Sequence, residues 1–495
     1  MRARSIPDAE LLAERSDGSD TFRHNQRSVL EGILSALAPP PNSANVVQPT
    51  TVQVAILGAG VAGLEAARVL QASGVELIVL EARERIGGRI FTLHDETVAV
   101  PIELGAEFVH GEAPELRETA HDARAPIYDI GGERWHSSNG TLERLDDFWP
   151  MLNAVMKRLD AKREPDRSFE QFLKTRPGGA PLARARTMAL QWVEGFHAAD
   201  PARASERALA DGGSPGDDVR ERRLGRFRDG YDSVPRWIAR DVASRVRLGA
   251  VVSGIRWQPG AISLDVRQAS GDSVTALEAR AAIITAPIGV LHAPPGEPGA
   301  IAFDPPLDFD RVKSDALRRM DMGAVIRVTI AVREPFWTSK RFVRRAKSQN
   351  LDRLAFLHTS DADFPVWWTA YPASTPLLVG WTGGPRAREL SSIGDDQATD
   401  RATDALARQF RLARREARRL VMGAWTHNWE NDPYARGAYS YILVGGSDAP
   451  AKLARPMQGT LFFAGEASDA EGRTGTVHGA IATGRRAAKQ VLRVL

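Results

Sequence analysis

Residues 52–92 read VQVAILGAGVAGLEAARVLQASGVELIVLEARERIGGRIFT. The first stretch is a short apolar, β-branched run that ends in glycines, and VAGLEAARVLQASG follows with helical periodicity. ELIVLEA (76–82) is a second apolar run, closing a strand–helix–strand unit of about 30 residues. The turn between the first strand and the helix is GAGVAG, with Gly58, Gly60, Ala62 and Gly63 at the start of the helix. Gly58 permits a tight turn, Gly60 lets a ligand approach the backbone, and Gly63 lets helix and strand pack closely. The N–H groups at such a helix start attract phosphate. Glu81, at the end of the second strand, stands where a carboxylate accepts hydrogen bonds from ribose hydroxyls.

These features predict a dinucleotide-binding α/β domain of the Rossmann type. The next residues choose the dinucleotide. Arg83 is followed by R-x-G-G-R at Arg85, Gly87, Gly88 and Arg89. A second glycine pair flanked by arginines suits a diphosphate and ribityl chain lying across the first turn, which points to FAD rather than NAD. Taken alone, the pair also reads as a Gly-Gly hairpin with solvated arginines.

Composition narrows the function. Hydrophobic residues make up 43% of the 495 residues and charged residues 26%, enough apolar material for a large core. The longest apolar runs, Val54–Leu64 and Ala281–Leu291, are about half of the ~20 residues a membrane span needs. No cysteine is present, which excludes disulfides, thiolate nucleophiles, zinc ribbons and thioether-linked cofactors. Net charge is only +3, and arginines are interleaved with acids rather than clustered with aromatics, so nucleic acid is not an expected partner. Residues 1–50 read as an extension with one short helix (27–37) and a proline-rich linker, without an export signal, so a cytoplasmic location is the default. Helical patterns are expected at 146–163, 167–174, 181–210 and 396–419. Strands are expected in 246–286, at 324–332, in LAFLHT and in TPLLVGWTGG.

Five pieces in order resemble the flavin-containing amine oxidases, the family of monoamine oxidases, polyamine oxidases and flavin histone demethylases. The first is the GAGVAG and GGR element. IELGAEFVHG (102–111) resembles the family loop beside the flavin ring, which implies Gly105, Ala106, Glu107 and Phe108 near the cofactor. GAVIRVTIAVREPFW (323–337) resembles its substrate-domain strand. WENDPYARGAYSY (429–441) resembles the segment with an aromatic wall, with Trp429 along the flavin and Tyr439 in the amine cage. FFAGEAS and GTVHGAIATGRRAA (462–488) resemble the terminal flavin element. That element implies cofactor contacts at Gly465, Glu466, Thr476 and Val477, with the last two N–H groups stabilising charge on the reduced ring. Val252 is implied beside the adenine through its backbone. The resemblance implies two interleaved domains: 52–110, 228–300 and 430–495 for FAD, and 111–227 and 301–429 for an α+β substrate domain.

Three positions depart from relatives. Ala438 stands where monoamine oxidases carry the flavin-linking cysteine, so FAD is expected to bind noncovalently. Thr476 replaces the second cage tyrosine, leaving a half-cage. Arg327 falls where the family has a lysine that holds a water against the flavin; an arginine keeps the charge but cannot deprotonate. Strand alternation puts Val325, Arg327 and Thr329 on one face, which faces either cavity or solvent. His110 lies near the pocket by the same resemblance, or is satisfied by local backbone. The implied activity is oxidation of an amine, with a polyamine or secondary amine as candidates. The products are an imine, then an aldehyde, and H2O2 from O2, with Arg327, Tyr439 and Thr476 as the catalytic set. An L-amino-acid oxidase is the nearest rival, although LGAEFVHG lacks the arginine such relatives use for the substrate carboxylate. An FAD-binding scaffold with little turnover is the alternative outside enzymes. Monomer and homodimer both stay open.

Overall fold

The computed structural model describes residues 50–138, 141–212, 223–268, 274–346 and 351–495. The expected amino-terminal helix and linker, and residues 213–222, lie outside the described residues. Among the described residues no helix is long and apolar enough to cross a membrane.

One sheet is built on the opening strand, Thr50–Leu57, which pairs in parallel with Leu77–Leu80 on one side and Val274–Ile284 on the other. Leu461–Phe463 joins in parallel beyond, so the carboxyl ends of these strands point to one edge of the sheet. In a doubly wound sheet that edge receives ligands. The antiparallel strands Ala250–Gln258 and Ala261–Gln268 extend the other flank, followed by the short Ala302–Asp304. The first helix, Val61–Ala72, lies on this sheet against the last helix, Val477–Val491. The two meet closely because a Cβ on Gly484 would fall inside the radius of the Ala62 carbonyl oxygen.

The second sheet runs in the order Val421–Trp425, Val325–Val332, Leu377–Gly383, Val366–Thr369, Leu354–Thr359, Glu133–Ser138 and Thr141–Arg144. Every residue of Val325–Val332 is buried. One face carries Ile326, Val328, Ile330, Leu357, Trp367 and Leu378, packed under the helices Gly384–Ser391 and Asp395–Gln409. The other face turns toward the first domain and a large cleft.

Two expected boundaries shift. Helix Pro114–Asp122 packs on the last helix, and Leu116 and Ala120 enter the first domain's core, so chain beyond residue 110 still belongs there. Ala302–Asp304 hydrogen-bonds to the first sheet, which carries that domain past residue 300. The expected 181–210 helix is two pieces, Ala183–Gly195 and Glu206–Asp211. Pro201 lacks the N–H a helix needs, and Ser205 caps the second piece by accepting from the Ala208 N–H. The strand Val366–Thr369 was not expected; its VWWT sequence has no alternation because both faces are covered.

Candidate active site

The cleft between the two sheets is a continuous cavity of about 690 Å³. Its inner end is the glycine turn. Gly58 has φ +103°, a conformation open to glycine, and a Cβ there would press on Thr285 Oγ1 at 2.6 Å. A Cβ on Gly63 would fall within the Gly58 carbonyl oxygen, so the helix sits directly on the turn. Gly60 is different: a Cβ there meets no atom within 4 Å and would project into the cavity. The GGR element closes over this turn. The Gly87 N–H donates to the Ala59 carbonyl at 2.8 Å, and Gly88 (φ +59°) brings its Cα side against Gly60. Glu81 is 3% exposed and accepts from the Ala59 N–H at 2.7 Å and the Arg83 N–H at 2.9 Å. Each oxygen keeps a further lone pair for a hydroxyl. Arg83 is anchored by Asp432 at 2.6 Å, and Val252 lines the same end.

Glu466 ties three segments together. It accepts from Arg89 at 2.8 Å, from the Ser440 hydroxyl at 2.6 Å and from the Gly475 N–H at 3.0 Å. Gly465, with φ +116°, turns the chain from the strand end into that contact. Beyond it the last helix begins. Its Val477 and His478 N–H groups bond to no described residue and line the cavity, where the positive end of the helix points. Gly60's open approach, these free donors and the lone pairs of Glu81 are what a dinucleotide needs, so FAD fits.

Thr476 is a correction. Its N–H donates to the Arg473 carbonyl at 3.2 Å, and its hydroxyl caps the last helix, accepting from Gly479 at 3.0 Å and donating to Arg473 at 2.6 Å. Thr476 lines the cavity, but its N–H and its hydroxyl hydrogen are both spent on the Arg473 carbonyl, so the pair of free donors at the helix start is Val477 and His478.

Arg327 lines the cavity, which settles its face, but it is not a free cation. Its guanidinium pairs with Glu107 at 2.6 Å, donates to the Gly105 carbonyl at 3.2 Å and stacks 5.6 Å from the Trp368 ring. The expected water-holding cation is thus ion-paired with Glu107, a partner 220 positions away in sequence that no local pattern links to it. Glu107 also takes Arg226 at 2.6 Å and the Trp368 indole N–H at 3.1 Å. These partners hold its carboxyl below the usual range despite burial. Phe108 follows, edge-on to Trp368 at 5.3 Å. Glu103, four residues earlier on the short strand Ile102–Glu103, has no ion-pair partner among the described residues, and burial pushes it up to about 8.

The aromatic wall is completed by Trp429 and Tyr439. The Trp429 indole donates to the Leu104 carbonyl at 2.8 Å, and its ring lies against Gly105. The Tyr439 hydroxyl donates to the Phe196 carbonyl at 2.8 Å, and burial raises its pKa, so it stays protonated. Ala106 lines the cavity beside Gly105. His110 lines it too, held by ring contacts with Phe108 and Phe196 rather than by backbone. Burial lowers His110 and His197 to about 4 and His358 to about 3, so all three are neutral near pH 7.

Comparison with known families agrees with this geometry. Residues 61–492 match the family model of flavin-containing amine oxidoreductases. The chain belongs to that family. This amine oxidoreductase is 27% identical over 472 residues to polyamine oxidase 4 of Oryza sativa subsp. japonica, covering 88% of each chain. It is 25% identical over 474 residues to a flavin-containing amine oxidase of Danio rerio, covering 89% of this chain and 85% of that one. Among solved structures, putrescine oxidase bound to putrescine superposes with a TM-score of 0.71 at 20% identity, covering 90% of this chain and 100% of that chain. The cyclohexylamine oxidase of Brevibacterium oxydans IH-35A also superposes with a TM-score of 0.71 at 20% identity, covering 89% and 99%. The shared architecture is the two-domain amine oxidase fold.

Two consequences are measurable. Glu81→Ala removes charge-assisted acceptors from the turn and should weaken FAD retention by about 1.5–3 kcal/mol, read as a dissociation constant against wild type. Unchanged retention would make Glu81 a turn-holding residue only. Glu103 binds its proton more tightly folded (about 8) than an unfolded glutamate does (about 4.3), so stability should fall as pH rises through that window. Glu103→Gln should therefore lose less melting temperature than wild type between about pH 6 and about pH 9. An identical pH dependence would mean that Glu103 is ionised in the fold.

Proposed function

We propose that the protein binds FAD noncovalently and oxidises an amine to an imine, which water opens to an aldehyde and ammonia or a smaller amine. When bound, FAD would supply the redox chemistry, taking the two electrons from the C–H and N of the substrate and passing them to O2 as H2O2. The observation that carries this reading is the continuity of the cleft. The phosphate-ready glycine turn and the free Val477 and His478 N–H groups open directly into an aromatic chamber lined by Phe108, Trp368, Trp381 and Tyr439.

The chain's own part is to bind, orient and exclude water. Tyr439 is fixed by its bond to the Phe196 carbonyl, so its ring presents a rigid wall to the amine. Phe108, Trp368 and Trp381 form the opposite wall, with Trp368 and Trp381 rings 5.5 Å apart. Glu107 and the Gly105 carbonyl fix the Arg327 guanidinium at the inner end, so it is held in place beside the amine. Noncovalent binding is supported by Ala438 at the linkage position and by the absence of cysteine from the chain.

The chamber's carboxylates, Glu81, Glu107 and Glu466, are all engaged by cations or N–H donors, and its histidines are neutral. An ammonium therefore sheds its proton on entry. With a panel of primary and secondary amines, anaerobic mixing should bleach the flavin, and admitting air should restore its colour with H2O2 released. The kcat/KM profile should rise with pH toward the amine pKa, without a limb from a chamber histidine between about pH 5 and 8. Acid should release intact FAD. A flavin that no amine bleaches would overturn the reading in favour of a scaffold.

A further inference from the structure

The cavity-facing side of the second sheet can be read strand by strand from its register. His136, His358, Val366, Trp381 and Arg327 face one another in a row across five strands. Two residues along, Arg134 lies beside Phe356, and Phe356 beside Trp368. An arginine thus stands at each end of the row, on strands four steps apart, or about 19 Å of backbone at ~4.8 Å per step. The two are not equivalent. Arg327, at the cofactor end, is matched to Glu107.

Arg134, at the far end, has no such partner. Its guanidinium lies 5.0 Å from the Phe356 ring, 5.2 Å from Trp149 and 5.3 Å from Phe148. It makes no hydrogen bond or ion pair with any described residue. A guanidinium carries five N–H donors, and a partly buried one without an acceptor is costly to keep. Burial depresses its pKa to about 10, which leaves it fully charged. The neighbouring Glu133 is turned to Arg144, and His358 is neutral.

A corridor connects this cation to the inner end. Along one wall Trp149, Trp192 and Phe196 follow at 5.6 and 4.2 Å, and the Phe196 carbonyl holds Tyr439. Along the other, Phe356 and Trp368 are 6.3 Å apart, and Trp368 reaches Arg327. We infer that Arg134 is the anchor for a substrate carboxylate, so that the chamber takes an amine joined through an extended apolar chain to a remote carboxylate. This rests on the reading of the site as amine-oxidising. An α-amino acid is too short to span the corridor. A polyamine would put a second ammonium against Arg134 with no free carboxylate among the cavity-lining residues described.

The test compares ω-aminocaprylate, octylamine and diaminooctane on the FAD-loaded enzyme. The kcat/KM for ω-aminocaprylate should exceed that for octylamine by about tenfold to a hundredfold, with diaminooctane below both. Arg134→Gln should bring the ω-aminocaprylate to octylamine ratio toward one, through KM, and Arg134→Lys should keep most of it. Caprylate, which cannot be oxidised, should bind wild type about tenfold more tightly than Arg134→Gln by calorimetry, a readout independent of turnover. A ratio near one in wild type, a ratio unmoved in a folded Arg134→Gln variant, or a preference for diaminooctane would overturn the inference. If none of the three amines bleaches the flavin, the proposed oxidation fails, while the caprylate comparison still decides the role of Arg134.

Discussion

One buried carboxylate joins the two halves of this molecule. Glu107, on the loop that follows the strand Ile102–Glu103, receives Arg226, Arg327 from the second sheet and the Trp368 indole N–H. Arg226 in turn donates to the Thr369 and Tyr371 carbonyls, both at 3.0 Å. The cofactor loop and the substrate sheet are therefore fixed to each other through four side chains. Removing one partner from such a cluster leaves an uncompensated buried charge, at a cost of several kcal/mol. The pairing also shapes the electrostatics of the cleft: at its inner end one carboxylate, Glu107, is shared by Arg226 and Arg327, and at its outer end Arg134 meets no carboxylate among the described residues.

The second constraint is that the substrate sheet is buried on both faces for different reasons. Alternation along Val325–Val332 sends Ile326, Val328 and Ile330 into the helix-covered core and Val325 and Arg327 into the cleft. Register then carries the pattern across to Trp381, Trp368, Phe356 and Arg134. The core face fixes the strands' positions, and the cleft face carries the aromatic and charged groups that meet Glu107 and line the chamber.

The cofactor turn is legible in sequence because each of its requirements is local. Gly58 needs a positive φ, Gly63 needs a close approach, and both are satisfied within six residues. The chamber is not legible in that way. Arg134, Phe356, Trp368 and Trp381 come together through strand register, and nothing in the neighbourhood of Arg134 in sequence marks it. The resemblance of IELGAEFVHG to the family loop implies Glu107 near the cofactor, whereas its pairing with Arg327 depends on a strand 220 residues further along the chain. Thr476 illustrates a different limit. The GTVHGA segment is a helix start, but which donors a cap consumes depends on the turn before it, where the Arg473 carbonyl takes both the N–H and the hydroxyl.

The claim that Glu107 couples the halves is tested most directly by a double-mutant cycle of Glu107→Gln and Arg327→Met, read as unfolding free energies of the FAD-loaded protein. A coupling energy of about 1.5–3 kcal/mol between the two positions is expected for a buried, hydrogen-bonded ion pair. Additive losses, with a coupling near zero, would contradict it and make Arg327 a chamber residue held by Gly105 and Trp368 alone.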